Sequence, residues 1–428
     1  APDSLTSLTH GASWVDQQWL SQVAFYGVVK AGGLKLAMLV HFVIIVGSYA
    51  AAAWVGRRRG AGALAIAWVG VLAILVAPWG WQLRTQNLAY PLFVLLFALL
   101  LREREGATNR AFLAIPLLIL WANLHGSVLM GVLVVLIYAG TSAVAGVRRR
   151  DGREPLVRCG LLALGAVASV FASPYSFSLV HYYKSLLGNS DIKLIMEWRP
   201  ASEFAGQAIF FFILVGITAL VLIRYRKRLT TFQIATLIIT ALAGFQAVRN
   251  IIWFDYVALM VIPMALSQAK IFRPREGRLP TRLFPILAVA LGITVFATAV
   301  GRSDGWYQHG WDARAASQVA AVVHAHPQTR IWANEIFADW LLWKEPTLAG
   351  HVAYDARFEI LPHRYFKQVA LFSVASGKDW HRFVDGYDVL VLGTRANSKQ
   401  IAAMRKETGR KVVFRDDRVT VLGRSATR

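Results

Sequence analysis

Ten apolar runs occupy most of this sequence, and they restrict the chain to folds that can enclose long hydrophobic segments. A helix rises ~1.5 Å per residue, so runs of this kind approach the ~30 Å thickness of a membrane core. The runs cover residues 34–55, 63–79, 88–101, 111–122, 127–147, 156–172, 208–223, 232–247, 251–266 and 283–300. We therefore predict an α-helical polytopic membrane protein with about ten transmembrane helices.

The composition agrees with a lipid-embedded protein. Of the 428 residues, 56% are hydrophobic and only 16% are charged, which is too apolar for a soluble protein of ordinary composition. The formal net charge of +22 would indicate nucleic acid in a soluble chain, but here the basic residues lie in short clusters between apolar runs. We therefore expect membrane lipids, and no nucleic acid, as partners. The single cysteine, Cys159, excludes an intrachain disulfide and a cysteine metal site.

Basic clusters predict how the chain is oriented in the membrane. They lie at residues 57–59, 102–104, 148–153, 224–228 and 273–282. All five fall in alternate loops, so we expect them on one face of the membrane, the cytoplasmic face. The opposite face then receives the segments 14–19, 81–87, 123–126, 173–204 and 246–250, together with everything after Gly301.

We predict three regions along the chain. Residues 1–33 form an outer-face interfacial segment, with an amphipathic helix at 14–28; residues 34–301 form the transmembrane domain; residues 302–428 form an extracytoplasmic α/β domain. In the last region we expect helices at 315–324, 337–343, 363–372 and 398–406, and strands at 330–333, 352–354, 389–393, 411–414 and 419–422. Because the first residue is Ala and no apolar segment precedes Ser4, we expect the chain to begin within a loop or to have been trimmed.

Polar groups interrupt the apolar sequence at two outer-face turns. Arg84 and Gln86 lie between the second and third runs, and Asn123 and His125 lie between the fourth and fifth. Ionisable groups near membrane depth are costly and often functional, and a guanidinium fits phosphate oxygens well. The alternatives are a snorkelling arginine for Arg84 and a simple helix–helix turn around Asn123.

Two further outer-face segments carry charges. Arg249 and Asn250 lie between two apolar runs, where an Arg249–Asp255 ion pair that only stabilises the helices is the alternative to a functional role. Glu197 lies in the loop 173–204, which is longer than a connection requires. This carboxylate is a candidate ligand or base for a substrate hydroxyl, and a solvated surface position is its alternative.

The C-terminal region has one polar segment of interest. Asp355 and Arg357 follow a predicted strand and are mixed with aromatic residues, as in many sugar-binding loops, although a solvated turn gives the same pattern. The sequence contains no P-loop, dinucleotide-binding fingerprint, HExxH or GxSxG motif. Nucleotide-driven transport and serine hydrolysis are therefore unsupported.

Taken together, these segments resemble the GT-C superfamily of bacterial membrane glycosyltransferases that use polyprenyl-phosphate sugars. The resemblance rests on residues 14–22, 121–126, 173–175, 197–200, 249–251 and 354–359 and extends over most of the chain. In such enzymes the expected catalytic base is an acidic residue in the loop after the first membrane helix. This sequence opens after that point, so the resemblance leaves that base unassigned, and Asp3 and Asp16 are the acidic residues that remain near the start.

The resemblance implies a sugar transfer from a polyprenyl-phosphate donor to a glycan, lipid or protein acceptor of the cell envelope, in the bacterial plasma (inner) membrane. We assign Asp16 and Glu197 as catalytic candidates, Arg84, Arg249 and His125 as donor-phosphate ligands, and Gln17, Gln86, Asn123, Asn250, Asp355 and Arg357 as substrate-binding residues. A divalent metal, Mg²⁺ or Mn²⁺, would help to screen the phosphate, although no cluster of metal ligands requires one. A transporter or flippase of lipid-linked glycans and a non-catalytic membrane scaffold remain as alternatives.

Overall fold

The computed structural model describes residues 2–76, 78–103, 109–188, 195–269, 271, 283–308, 310–377 and 379–424. The expected basic cluster at 273–282, and Arg104, lie outside these residues. The chain divides into two compact units. A sheet-containing unit comprises Ala1–Val15, His181–Leu194 and Arg302–Arg428, and a helical unit comprises Asp16–Val180 and Ile195–Gly301.

Helices account for most of the described chain before residue 302. They are α1 (Trp19–Arg58), α2 (Ala63–Val76), α3 (Ala89–Glu103), α4 (Ala114–Leu124), α5 (Val128–Arg149), α6 (Glu154–Ser169), α7 (Ser178–Gly188), α8 (Ile209–Tyr225), α9 (Thr231–Gln246), α10 (Ile251–Gln268) and α11 (Leu283–Gly301). Each of the ten apolar runs overlaps one of these helices.

Five segments of the described residues are long and apolar enough to cross a membrane. They are Trp19–Arg58, Thr85–Glu103, Val128–Arg149, Ile209–Arg228 and Val248–Gln268. These segments suggest a membrane protein. Ala63–Val76, Asn109–Leu124, Thr231–Gln246 and Gly292–Gly301 are apolar but shorter. Ten transmembrane helices are therefore not confirmed.

Helix α10 lies at the centre of the helical unit. Every residue from Ile251 to Leu266 is buried, and the helix packs against α1, α2, α8 and α9. Apart from Asp255, its sequence carries no charged residue, as expected for a helix enclosed by others. Trp253 makes a tilted contact with Phe93 and an edge contact with Tyr90, at ring-centroid separations of 5.0 and 5.6 Å. This packing fixes the position of the turn that precedes α10.

Helix α1 differs from the expected interfacial helix at 14–28. The helix begins at Trp19, because Asp16 accepts a hydrogen bond from the Gln18 backbone N–H and so forms a turn before the helix. It is then interrupted at Gly32 and Gly33, and Gly33 has a φ of 68°. A residue with a side chain would be strained there, so glycine is needed at this break. The outer-face location of residues 1–33 stays a prediction.

The sheet-containing unit has the α/β composition expected from its sequence. Its helices are α12 (Asp304–Tyr307), α13 (Ala313–Ala325), α14 (Glu335–Lys344), α15 (His363–Val374) and α16 (Ser398–Thr408), and its strands are β1 (Ile331–Ala333), β2 (Val389–Gly393), β3 (Lys411–Arg415) and β4 (Val419–Gly423). The strand order is β1-β2-β4-β3. Strands β1 and β2 are parallel, with Ile331 opposite Val389, whereas the other two pairs are antiparallel.

The N-terminal segment extends this sheet, which the sequence did not indicate. Val352 forms parallel bridges with Ile331 on one side and with Thr6 on the other. The Ser7 and Leu8 backbone N–H groups donate to the carbonyls of Val352 and Ala353, at 2.8 and 3.0 Å. The predicted strand at 352–354 is thus reduced to isolated bridges, and its outer neighbour comes from the other end of the chain.

Candidate functional site

The turn that carries Arg84 is held in shape by a buried asparagine. The Arg84 backbone N–H donates to Asn87 Oδ1 at 2.7 Å, and Asn87 Nδ2 donates to the Gly80 carbonyl at 3.3 Å. Tyr90 donates its hydroxyl to the same carbonyl at 3.3 Å. Asn87 is fully buried, so its amide bonds have little competition from water. These bonds define where the Arg84 side chain leaves the turn.

Two arginines meet at one carboxylate, and we call Arg84, Glu197 and Arg249 the double-arginine site. Arg84 Nη1 is paired with Glu197 Oε2, and Arg249 Nη1 donates to Glu197 Oε1 at 3.1 Å. The three side chains are 32%, 19% and 17% exposed in that order, so they are shielded but still reached by solvent. Of the three formal charges, two are positive, which leaves the site with a net charge of +1.

Neighbouring side chains restrict both guanidiniums. Arg249 lies over the Trp198 ring, with its Cζ 4.4 Å from the ring centroid. Cation–π contacts of this kind hold a guanidinium plane against the ring face. Arg84 Nη2 donates to Gln82 Oε1. Both arginines are therefore positioned by more than their ion pairs with Glu197.

Backbone geometry brings Glu197 and Arg249 together. Glu197 lies in the short 3₁₀ helix Met196–Trp198, and Arg249 lies in another, Val248–Asn250, directly before α10. The Val248 backbone N–H donates to the Arg199 carbonyl at 3.1 Å. This bond joins the two turns, so that Glu197 and Arg249 project into the same region.

His125 lies at the end of α4 and is buried. Its Nδ1 accepts from the Ser127 backbone N–H at 3.0 Å, so the ring proton belongs on Nε2. Burial, together with the positive charges of Arg249 and Arg84, lowers the pKa of His125 to about 3. His125 is therefore neutral at physiological pH, and it is electrostatically coupled to both arginines of the double-arginine site.

Two of the predicted substrate ligands have structural contacts. Asn123 accepts from Trp19 Nε1 at 3.0 Å and donates to the carbonyls of Ile119 and Ala172 at 2.9 and 2.8 Å. Asn250 donates to the Ala243 carbonyl at 3.3 Å. These amides join helix ends in the described structure, and their predicted contact with a substrate stays a prediction.

The predicted catalytic residue Asp16 lies just before α1 and is connected to the turn that carries Arg84. Asp16 Oδ1 accepts from Gln22 Nε2 at 3.2 Å and from the Gln18 backbone N–H at the same distance. Gln18 Oε1 in turn accepts from Thr85 Oγ1 at 2.5 Å. Asp16 is thus linked through Gln18 to the residue after Arg84.

Gln17 and Gln86 are both buried. Gln17 Oε1 has no hydrogen-bond partner among the described residues. A buried amide oxygen of this kind is costly to leave unpaired. It is therefore compatible with the substrate-binding role expected for Gln17, which stays a prediction.

Asp355 and Arg357 lie in the sheet-containing unit, where they form an ion network with the N-terminal segment. Arg357 Nε donates to both carboxylate oxygens of Asp355, at 2.9 and 2.8 Å. Arg357 Nη2 pairs with Asp3 Oδ1 at 2.7 Å, and the guanidinium lies 4.8 Å from the Trp14 ring centroid. Arg357 therefore already pairs with two carboxylates. A sugar that bound to Arg357, as predicted, would have to share its guanidinium with Asp3 and Asp355.

Two carboxyl groups beside this network have pKa values above the ordinary values for their residue types. Burial, and secondarily the charge of Asp355, raises the pKa of Asp339 to about 6. Burial also raises the pKa of Glu359, which accepts from Trp14 Nε1 at 3.2 Å. Of the two, Asp339 is therefore the group whose charge changes in the mildly acidic range.

Sequence reasoning missed several residues of the helical unit. Asn87 lies in the segment 81–87 but received no role, because its hydrogen-bond partners are backbone groups that the sequence does not reveal. Trp198 lies in the segment 197–200, and its contact with Arg249 was not predicted. Asp255 was considered as a partner of Arg249, whereas its Oδ2 accepts from the Tyr49 hydroxyl at 2.5 Å. The structure gives Arg249 and Asp255 different partners, which favours a role for Arg249 other than neutralising Asp255.

Neither the arrangement of possible metal ligands nor comparison with known proteins assigns a function to the site. Within the described ranges, no three His, Cys, Asp or Glu side chains are arranged to hold a metal ion. The possible assistance of Mg²⁺ or Mn²⁺ stays a prediction. Comparison with protein-family models and with curated protein sequences finds no match for this chain.

Proposed function

We propose that this protein is a membrane glycosyltransferase that moves a sugar from a polyprenyl-phosphate donor to an envelope acceptor on the extracytoplasmic side of the bacterial plasma membrane. The observation that carries the proposal is the convergence of Arg84 and Arg249 on Glu197 beside the ends of apolar helices. A lipid-linked sugar needs a cationic site next to a hydrophobic surface, because its phosphate lies between a prenyl tail and a polar sugar.

The two guanidiniums are suited to the donor phosphate. Each presents a planar fork of N–H groups that matches two phosphate oxygens, and a lysine would supply only a point charge. Trp198 and Gln82 hold the forks of Arg249 and Arg84 in place before any ligand binds. Such preorganisation lowers the entropy cost of binding the phosphate.

Glu197 supplies the carboxylate that the reaction needs. The acceptor hydroxyl oxygen attacks the anomeric carbon, the bond from that carbon to the phosphate oxygen breaks, and Glu197 takes the hydroxyl proton. Polyprenyl phosphate leaves with the electron pair, so its charge changes from −1 to −2. Arg84 and Arg249 stabilise this added charge, and His125 provides a neutral N–H donor for the phosphate or the sugar.

Sugar transfer in proteoliposomes tests the proposal. The full chain would be supplied with radiolabelled polyprenyl-phosphate hexoses, pentoses and amino sugars, and with bacterial envelope membranes as the acceptor. We expect label to move from the lipid fraction to the acceptor fraction. Arg249→Lys and Arg84→Lys should each lower this rate about tenfold to a hundredfold, since a charge-assisted hydrogen bond contributes ~1.5–3 kcal/mol.

Arg199→Lys is the matched control. Arg199 lies in the same loop as Glu197, but its ion pair with Glu203 spans 3.8 Å and both side chains are exposed. This variant should transfer sugar at the wild-type rate. Translocation of labelled donor across the bilayer without transfer to any acceptor would instead identify a transporter or flippase, and equal losses in all three variants would remove Arg84 and Arg249 from the site.

A further inference from the structure

Glu197 lies where an anionic ligand would lie. Its two carboxylate oxygens contact Arg84 and Arg249 separately, one oxygen for each guanidinium. A phosphate group bound by both arginines would use the same N–H groups. In the described structure the protein's own carboxylate therefore holds the position that the proposed donor phosphate requires.

The charge of Glu197 affects different phosphates unequally. The double-arginine site has a net charge of +1 while Glu197 is ionised, and +2 without that carboxylate. A phosphodiester such as a polyprenyl-phosphate sugar carries one negative charge, whereas a phosphomonoester such as the polyprenyl phosphate product carries about two above its second pKa of ~6. Coulomb energy scales with the product of the two charges. The repulsion energy between the Glu197 carboxylate and a bound phosphate is therefore about twice as large for the monoester as for the diester.

We propose that Glu197 is a specificity-determining residue: it competes with bound phosphate for Arg84 and Arg249, and so favours the diester donor over the monoester product. This inference rests on the proposed function. Glu197 first passes the acceptor's proton to water and so regains its negative charge. The carboxylate then weakens the hold of Arg84 and Arg249 on the product, and its contacts with both arginines re-form when the product leaves. The exposed fractions of the three side chains leave room for such an exchange.

Binding of two short-chain probes to the full chain in detergent tests this inference. The probes are farnesyl phosphate, a monoester, and farnesyl methyl phosphate, a diester, both measured at pH 8. Glu197→Gln should bind farnesyl phosphate about tenfold more tightly than the wild type does, with a clearly smaller gain for the diester. Glu197→Asp keeps the charge but shortens the side chain, and it should lie between the wild type and Glu197→Gln.

Glu203→Gln is the control, because it removes a carboxylate from the same loop outside the double-arginine site. It should change neither affinity. A thermal unfolding curve for each variant shows whether it is folded. Suppose that both probes bind to the wild type. If Glu197→Gln then leaves the ratio of the two affinities unchanged, or weakens the binding of both probes, the inference about Glu197 is wrong, but the proposed phosphate site is not contradicted. If neither probe binds to the wild type or to Glu197→Gln, the proposed function fails as well.

Discussion

Asp3 should contribute pH-dependent stability to the sheet-containing unit. Its carboxylate accepts hydrogen bonds from Thr6 Oγ1 at 2.6 Å, Thr9 Oγ1 at 2.7 Å and the Leu5 backbone N–H at 3.0 Å, and it pairs with Arg357 at 2.7 Å. Burial acts to raise the pKa of Asp3, but the hydrogen bonds together outweigh it and lower the pKa to about 2. We expect Asp3→Asn to weaken the attachment of the N-terminal segment to the sheet.

The size and direction of this effect follow from the pKa difference. A fall from the ordinary value of 3.8 to about 2, at ~1.36 kcal/mol per pH unit, corresponds to at most ~2.5 kcal/mol. Solvent screening reduces the expected value to about 1–2 kcal/mol. Because the folded-state pKa of Asp3 is the lower one, the stabilisation is complete above about pH 4 and falls to roughly half at pH 3.

Hydrogen–deuterium exchange in urea measures this difference on the full chain in detergent. The peptides to follow cover residues 5–9 and 350–354, where the N-terminal segment pairs with Val352. Asp379→Asn is the matched control, because its pair with Arg382 spans 3.2 Å on the surface and both side chains are mostly exposed. An Asp3→Asn difference that is as large at pH 3 as at pH 7, or that the control reproduces, would refute the reasoning.

Two other predictions concern the helical unit. Asn87→Ala removes the acceptor for the Arg84 backbone N–H, so it should lower the free energy of unfolding by ~1–3 kcal/mol and weaken farnesyl phosphate binding, as measured by thermal unfolding and probe titration. In a Cys159→Ser background, Phe177→Cys should react with a membrane-impermeant thiol reagent added outside the cell, and Arg149→Cys should not. The reverse labelling pattern would contradict the expected orientation.

The sequence predicts most helices of this protein because their signals are local. An apolar run such as 251–266 needs only its own composition to indicate a buried helix, and α10 is buried on all sides. In the sheet-containing unit, α13 and α14 likewise begin at local signals, because Asp312 and Asn334 accept hydrogen bonds from backbone N–H groups of the first turn. Membrane crossing by ten helices depends in addition on length, and several helices are too short to establish it.

The contacts of the candidate site join residues that are distant in the sequence, so no local sequence pattern reveals them. Arg84 and Arg249 could each be recognised as an unusual charge beside apolar runs, but nothing in the residues around Glu197 indicates that it pairs with both. The pairing of Thr6 with Val352 is a similar case, because one bridge between distant segments leaves no periodic pattern in either. Such contacts follow from chain topology and not from local propensity.

Arg84 and Arg249 together are proposed to hold a phosphate headgroup, and a crystal structure of the full chain with farnesyl phosphate tests this proposal most directly. We expect phosphate oxygens ~2.7–2.9 Å from guanidinium nitrogens of both arginines, with at least one of the Glu197 contacts replaced. A phosphate bound elsewhere, with Glu197 still joined to Arg84 and Arg249, would contradict the claim.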